Sequence, residues 1–173
     1  MRLARDFGFP VTHVLTARLD PGDSEMAERV ARHRAERGRE AALELWQPQA
    51  PDLPQIIANA PAATTLLVDS LGTWIAGHLL EMEALVERDS PQALARLEAL
   101  ADPLFAALTA PRANVVLVAE ETGWGLVPTT AQGRLFRDHL GRLTRRLGQR
   151  AERVELVVAG YAVDLRRWGV GVS

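Results

Sequence analysis

The chain contains no cysteine and no lysine. Without cysteine there is no disulfide framework and no thiolate-held metal centre. Without lysine all 20 basic residues are arginine, which excludes any chemistry that needs an ε-amino group. Aromatic residues make up only 5%. No apolar run approaches the ~20 residues that cross a bilayer, and the amino terminus lacks a signal-peptide pattern. The 20 basic residues face 22 acidic ones, a balance that gives no electrostatic case for nucleic acid or an anionic membrane. Four histidines with no cysteine make a zinc site an unexpected outcome. Cytoplasm is the expected compartment.

What is present fits one globular domain spanning residues 1–173. A chain of that length buries about two-thirds of the surface its unfolded form exposes. Four apolar runs read as buried strands: Val11–Thr16, Thr65–Asp69, Val115–Ala119 and Val154–Ala159. Continuous apolar runs suit a parallel sheet covered on both faces. Helical patterns lie between them. Asp23 or Ser24 is placed to cap a helix reaching about Arg37, with Met26, Val30 and His33 along one side. Leu71 to Glu87 forms a second helical pattern. Ser90-Pro91 reads as an N-cap with proline at the first helical position, followed by a stripe of Leu94, Leu97, Ala101, Leu104 and Leu108. Thr129 and Gln132 have capping-box spacing ahead of a helix from about Thr130 to Arg150. Its apolar side is Phe136, Leu140, Leu143 and Leu147. The segment Gln47–Ala63, rich in proline and alanine, reads as a loop around a short helix. The alternation predicts an α/β domain with a mostly parallel sheet.

Ligands of such sheets bind beyond the carboxyl ends of the strands. Asp69 ends one strand in TLLVD, and Glu120 and Glu121 follow another in VVLVAEETGWGLVP. Asp69 has the Walker-B position, where an acid holds Mg²⁺ directly or through water. The alternative is an acid capping the helix that starts at Leu71. Around Glu121, Gly123 and Gly125 permit close backbone approach to a ligand; the plainer reading is a tight turn with solvated carboxylates. Trp124 either stacks on a flat ligand or fills a subunit contact.

His33 stands among Arg29, Arg32, Arg34 and Arg37. Arginine forks grip phosphate oxygens in pairs, and a neutral imidazole among them can attack a nucleotide phosphorus. A partly buried, hydrogen-bonded histidine is the plainer account. Arg134, Arg137, Asp138 and Arg142 begin the long last helix. Arg137 and Asp138 form a surface ion pair in one reading; in the other the arginines face phosphates at the strand ends.

Taken in order, EMAERVARHRAER, LLVDSLGTWIAGHLL, VVLVAEETGWGLVP, GRLFRDHLGRL and VELVVAG resemble the bifunctional adenosylcobinamide kinase/adenosylcobinamide-phosphate guanylyltransferase family of cobalamin biosynthesis. The likeness runs from about Leu3 to Leu165. It implies a three-layer RecA-like P-loop fold, assembly as a homotrimer, and corrinoid and nucleotide substrates, with GTP or ATP accompanied by Mg²⁺. It further implies phosphorylation of adenosylcobinamide, then GMP transfer from GTP through a guanylylated histidine. His33 matches that histidine. Leu15, Thr16 and Ala17, together with Arg34, Ala35, Glu36 and Arg37, match nucleotide-contacting segments. Asp69 matches the acid near Mg²⁺ and nucleotide, and Glu121 the acid of an Asn-Glu-x-Gly motif.

The departures are specific. The family pattern opens with a strand and a Gly-rich loop carrying lysine, whereas the likeness here opens inside the next helix, at RLARDFG. The first strand, the Walker A loop and its lysine are therefore expected to be absent, and kinase activity with them. A Trp-x-Thr-x-Glu motif after the histidine is blurred, with Trp46 present but Glu44 or Gln49 in place of the acid. Glu120 stands where asparagine is common, and Thr144-Arg145 where Asn-Gln is common. The expected activity is guanylyl transfer through His33; the alternative is a non-catalytic homologue that binds nucleotide or corrinoid, or serves assembly.

Overall fold

The computed structural model describes residues 2–16, 28, 44–46 and 53–171. The segments carrying Ala17 and residues 33–37 lie outside the described residues. So does the helix expected to reach Arg37, apart from Glu28, which is helical and exposed.

The order of elements is α1 (Arg2–Arg5), β1 (Val11–Leu15), β2 (Glu44–Trp46), α2 (Leu53–Ala58) and β3 (Thr65–Asp69). There follow α3 (Leu71–Glu81), α4 (Glu83–Arg88), α5 (Ser90–Ala99), α6 (Ala101–Ala107) and β4 (Asn114–Leu117). The chain continues through α7 (Ala131–Arg150), β5 (Glu155–Val158), β6 (Tyr161–Asp164) and α8 (Leu165–Trp168). Strands β2-β1-β3-β4 form a four-stranded sheet in that order, with every neighbouring pair parallel.

β3 is central because every residue of TLLV is buried. Successive side chains point to opposite faces, so an unbroken buried run requires cover on both. The core contains Leu66 and Val68 of β3, Leu71, Trp74 and Ile75 of α3, Leu97 of α5, Leu104 of α6, and Leu140 and Leu143 of α7. Leu53 and Ile57 of α2 are fully buried, so the short helix inside the proline-rich segment is an anchored element.

Four expectations are corrected. The run Val154–Ala159 does not join the parallel sheet. Its strand, β5, pairs antiparallel with β6 through Ala159 and Gly160 at φ 50° and 80°, and Val157 and Val158 are exposed. Two consecutive positive φ values fit a type I′ turn, the twist-matched connection of a two-residue hairpin. The helical pattern after Asp89 is two helices. Pro103 lacks an N–H, and its ring opposes the carbonyl four residues back, so the regular ladder is interrupted near Leu100. Asp89, not Ser90, caps α5, accepting from the Gln92 N–H at 3.0 Å. The pattern from Leu71 to Glu87 likewise divides at Met82.

The cap of α7 sits one residue later than its sequence spacing suggests: Thr130 Oγ1 accepts from the Gly133 N–H at 3.1 Å. Among the described residues no helix is long and apolar enough to cross a membrane.

Candidate functional site at the strand ends

The sheet order itself marks a crevice. From β1 the chain goes to β2 on one side, and from β3 it goes to β4 on the other. Two adjacent parallel strands whose connections leave in opposite directions open a gap at their carboxyl ends, where α/β proteins bind ligands. Leu15 is registered opposite Asp69 at that point, and Thr16 follows. Leu15, Thr16 and Asp69 are thus brought together.

Thr16 is buried and ties the two strand ends. Its Oγ1 donates to the Ser70 carbonyl at 2.5 Å and accepts from the Ser70 N–H at 3.1 Å. Thr73 Oγ1 lies 2.5 Å from Thr16 Oγ1 and also accepts from the Ser70 N–H, at 3.0 Å. Ser70 caps α3 through a reciprocal capping box with Thr73. The capping role weighed for Asp69 therefore belongs to its neighbour Ser70. The Asp69–Ser70 peptide bond is cis.

The two adjacent glutamates separate. Glu120 reaches back across the sheet: its Oε1 accepts from Ser70 Oγ at 2.5 Å and its Oε2 from the Gly72 N–H at 3.0 Å. A negative charge there also complements the positive end of the α3 dipole. Gly72 is required by this approach, because a Cβ at that position would stand 2.0 Å from Glu120 Oε2. Glu121 instead closes its own loop, accepting from the Gly123 N–H at 2.8 Å. Beyond it Trp124 is 74% and Leu126 95% exposed, so the loop presents apolar side chains to solvent.

The arginines of α7 take separate partners. Arg134 donates to the carbonyls of Pro128 and Thr129 at 3.1 and 2.8 Å, bracing the glycine loop. Arg137 pairs with Asp138 at 3.4 Å on the surface. Arg142 and Arg146 turn towards α5 and α6, 3.8 Å from Glu98 and 3.9 Å from Asp102. With His139 and Leu143 they line a cleft of about 420 Å³ to which no strand-end residue contributes. His139 is buried, and neither ring nitrogen has a hydrogen-bond partner among the described residues. Burial first, and the Arg142 guanidinium second, hold its pKa below the ordinary value.

The sequence reading passed over His139, and it singled out Glu120 as a strand-end acid without a role. His139 lies three after Phe136 and four before Leu143, on the apolar stripe, and that spacing signals its burial. Nothing local signals the partners of Glu120, which are 48 and 50 residues away in sequence.

Mg²⁺ is usually held by one or two carboxylates with the remaining positions taken by substrate phosphates and water. Asp69, at the carboxyl end of β3 opposite Leu15, is the acid that could offer a hard oxygen donor there. Among the described residues there is no group of three or more acids or histidines that would hold a metal by itself.

Comparison with known proteins agrees with the likeness seen in the motifs. A profile of the family described as "Cobinamide kinase / cobinamide phosphate guanyltransferase" matches residues 1–165. The chain is similar to the bifunctional adenosylcobalamin biosynthesis protein CobP of Pseudomonas aeruginosa, 33% identical over 168 residues, which covers 95% of this chain and 87% of the relative. It is also similar to the bifunctional adenosylcobalamin biosynthesis protein CobU of Escherichia coli, 32% identical over 149 residues, covering 83% and 80%.

Proposed function

Because the chain belongs to the cobinamide kinase/cobinamide phosphate guanyltransferase family, we propose that it transfers GMP from GTP to adenosylcobinamide phosphate through His33. The observation that carries the reading is the meeting of Thr16 and Asp69 at the crevice between β1 and β3. A triphosphate lying across these strand ends would have the Asp69 carboxylate beside it and the glycine loop of Glu121 along one rim. Leu15, Thr16 and Ala17 would border the nucleotide from β1.

In the first displacement a neutral His33 nitrogen attacks the α-phosphorus. A nitrogen–phosphorus bond forms, the bond to the bridging oxygen breaks, and pyrophosphate leaves with the electron pair. The arginines at 34 and 37 would hold the phosphate oxygens as charge builds on them. In the second displacement an oxygen of the corrinoid phosphate attacks the same phosphorus, and the imidazole leaves. Mg²⁺ would neutralise phosphate charge in both displacements. The chain's own share is to hold Asp69 at the end of β3 and to supply His33 as the nucleophile.

On the same family basis we propose a RecA-like single domain acting as a homotrimer in the cytoplasm. Incubation with α-labelled GTP and Mg²⁺ tests the transfer. The expected result is acid-labile label on the chain that is lost in His33→Ala and discharged by adenosylcobinamide phosphate. A chain that binds nucleotide but never takes label would instead be a non-catalytic binding homologue.

A further inference from the structure

We infer that Glu120 is a positioning residue: its carboxylate clamps Ser70 and the first turn of α3, and so fixes Asp69 for the metal-bound nucleotide. The inference rests on the nucleotide site proposed above. It starts from the spacing of three elements. Leu71 N–H donates to the Val118 carbonyl at 2.8 Å, and Val118 N–H donates to the Val68 carbonyl at 2.9 Å. The chain after β4 is thereby laid alongside the turn from β3 into α3, and Glu120 arrives opposite residues 70 to 72.

The carboxylate then makes two contacts of different kinds. Ser70 Oγ donates to one oxygen at 2.5 Å, and the Gly72 N–H donates to the other at 3.0 Å. Ser70 is buried and directly follows Asp69, so restraint on Ser70 restrains the backbone that carries the Asp69 carboxylate. From the β1 side Thr16 holds the same serine through its carbonyl and its N–H. Ser70 is thus gripped from both flanking strands. Glu120 is the grip from the β4 side.

Glu120 is poorly suited to be a metal ligand itself. Each of its oxygens already accepts a hydrogen bond, and one of these comes from a helix amide that has no other partner inside its helix. A carboxylate engaged in this way acts through the geometry of its neighbours. Gly72 makes the argument testable without touching the charge, because any side chain there must displace the Glu120 carboxylate.

The test uses the full chain and four variants: Glu120→Ala, Glu120→Gln, Gly72→Ala and the double Gly72→Ala/Glu120→Ala. Mg²⁺·GTP affinity is measured by calorimetry, label transfer by its rate and half-saturating GTP concentration, and folding by thermal midpoint. Loss of a charge-assisted clamp is expected to weaken Mg²⁺·GTP binding about tenfold in Glu120→Ala. Gly72→Ala is expected to do the same with the charge retained. The double variant is expected to be no worse than Glu120→Ala, since there is then nothing left to displace. Glu120→Gln is expected to rescue binding, because its amide oxygen accepts from Gly72 N–H while its NH₂ donates to Ser70 Oγ.

Unchanged affinity in folded Glu120→Ala overturns the inference. So does a Gln variant as poor as the Ala variant, which would give the charge itself the role. Multiplying losses in the double variant overturn it as well. A wild-type chain that binds Mg²⁺·GTP but takes no label defeats the proposed transfer alone, and the affinities still decide the clamp. A wild-type chain that binds no Mg²⁺·GTP defeats both.

Discussion

Thr16 and Ser70 are joined twice, through the Ser70 carbonyl at 2.5 Å and the Ser70 N–H at 3.1 Å, both meeting one threonine hydroxyl. The pair closes the end of the β1–β3 crevice, and both residues are buried. Thr16→Val keeps the shape and removes the hydroxyl. Thr73 Oγ1 still reaches both the N–H and the carbonyl of Ser70, so the loss is that of ordinary hydrogen bonds, about 0.5–1.5 kcal/mol. For a chain of this size that lowers the thermal midpoint by roughly 2–4 °C per kcal/mol. Thr16→Ser, which retains the hydroxyl, is expected to keep most of the stability. Calorimetric melting of the two variants checks this.

His139 makes folding sensitive to acid. Its ring is buried without a partner for either nitrogen among the described residues. Its pKa is lowered by burial first and by Arg142 second; Glu98 opposes the shift, and Arg146 adds least to it. The unfolded chain therefore binds the proton more readily than the folded one, and stability falls as pH drops below the ordinary value of 6.5. His139→Leu removes both the proton site and the unpartnered nitrogens. The variant is expected to be more stable by about 1–2 kcal/mol at neutral pH and to lose the part of the acid sensitivity that His139 causes. Urea midpoints between pH 5 and 8 measure both effects.

At the β5–β6 turn, Ala159 holds a positive φ of 50°. A side chain of that kind in the left-handed region is disfavoured by about 1–2 kcal/mol. Asparagine tolerates the conformation and creates the Asn-Gly pair that type I′ turns prefer. Ala159→Asn is expected to recover about 1 kcal/mol of that cost, read as slower amide exchange in residues 155–164.

The parallel sheet was legible because the runs at Thr65–Asp69 and Val115–Ala119 are continuously apolar, and burial on both faces demands that pattern. Strand order was not, since it depends on which helices cross over which strands. The hairpin escaped notice because Ala159-Gly160 lacks the usual turn residues, and the backbone accepts alanine at a cost instead. The division of the helix near Leu100 was written in Pro103, but a leucine stripe continuing through it masked the break. At the candidate site, Thr16, Asp69 and Glu121 could be singled out from position after a strand. Glu120 stood out in the same way, but its role did not, because its cap is long-range and its partner Gly72 carries no side chain to suggest it.

The account turns on Asp69 and His33 serving one nucleotide. The most direct measurement is the single-turnover rate at which GTP with Mg²⁺ guanylylates the chain, with the modified residue mapped by peptide mass, in the unsubstituted protein and in Asp69→Asn. The account predicts modification at His33 that slows by about a hundredfold or more in Asp69→Asn, the scale seen when an electrostatic contact to a reacting phosphate is lost. Modification at another residue, or an unchanged rate at His33 in the folded Asp69→Asn variant, would contradict it.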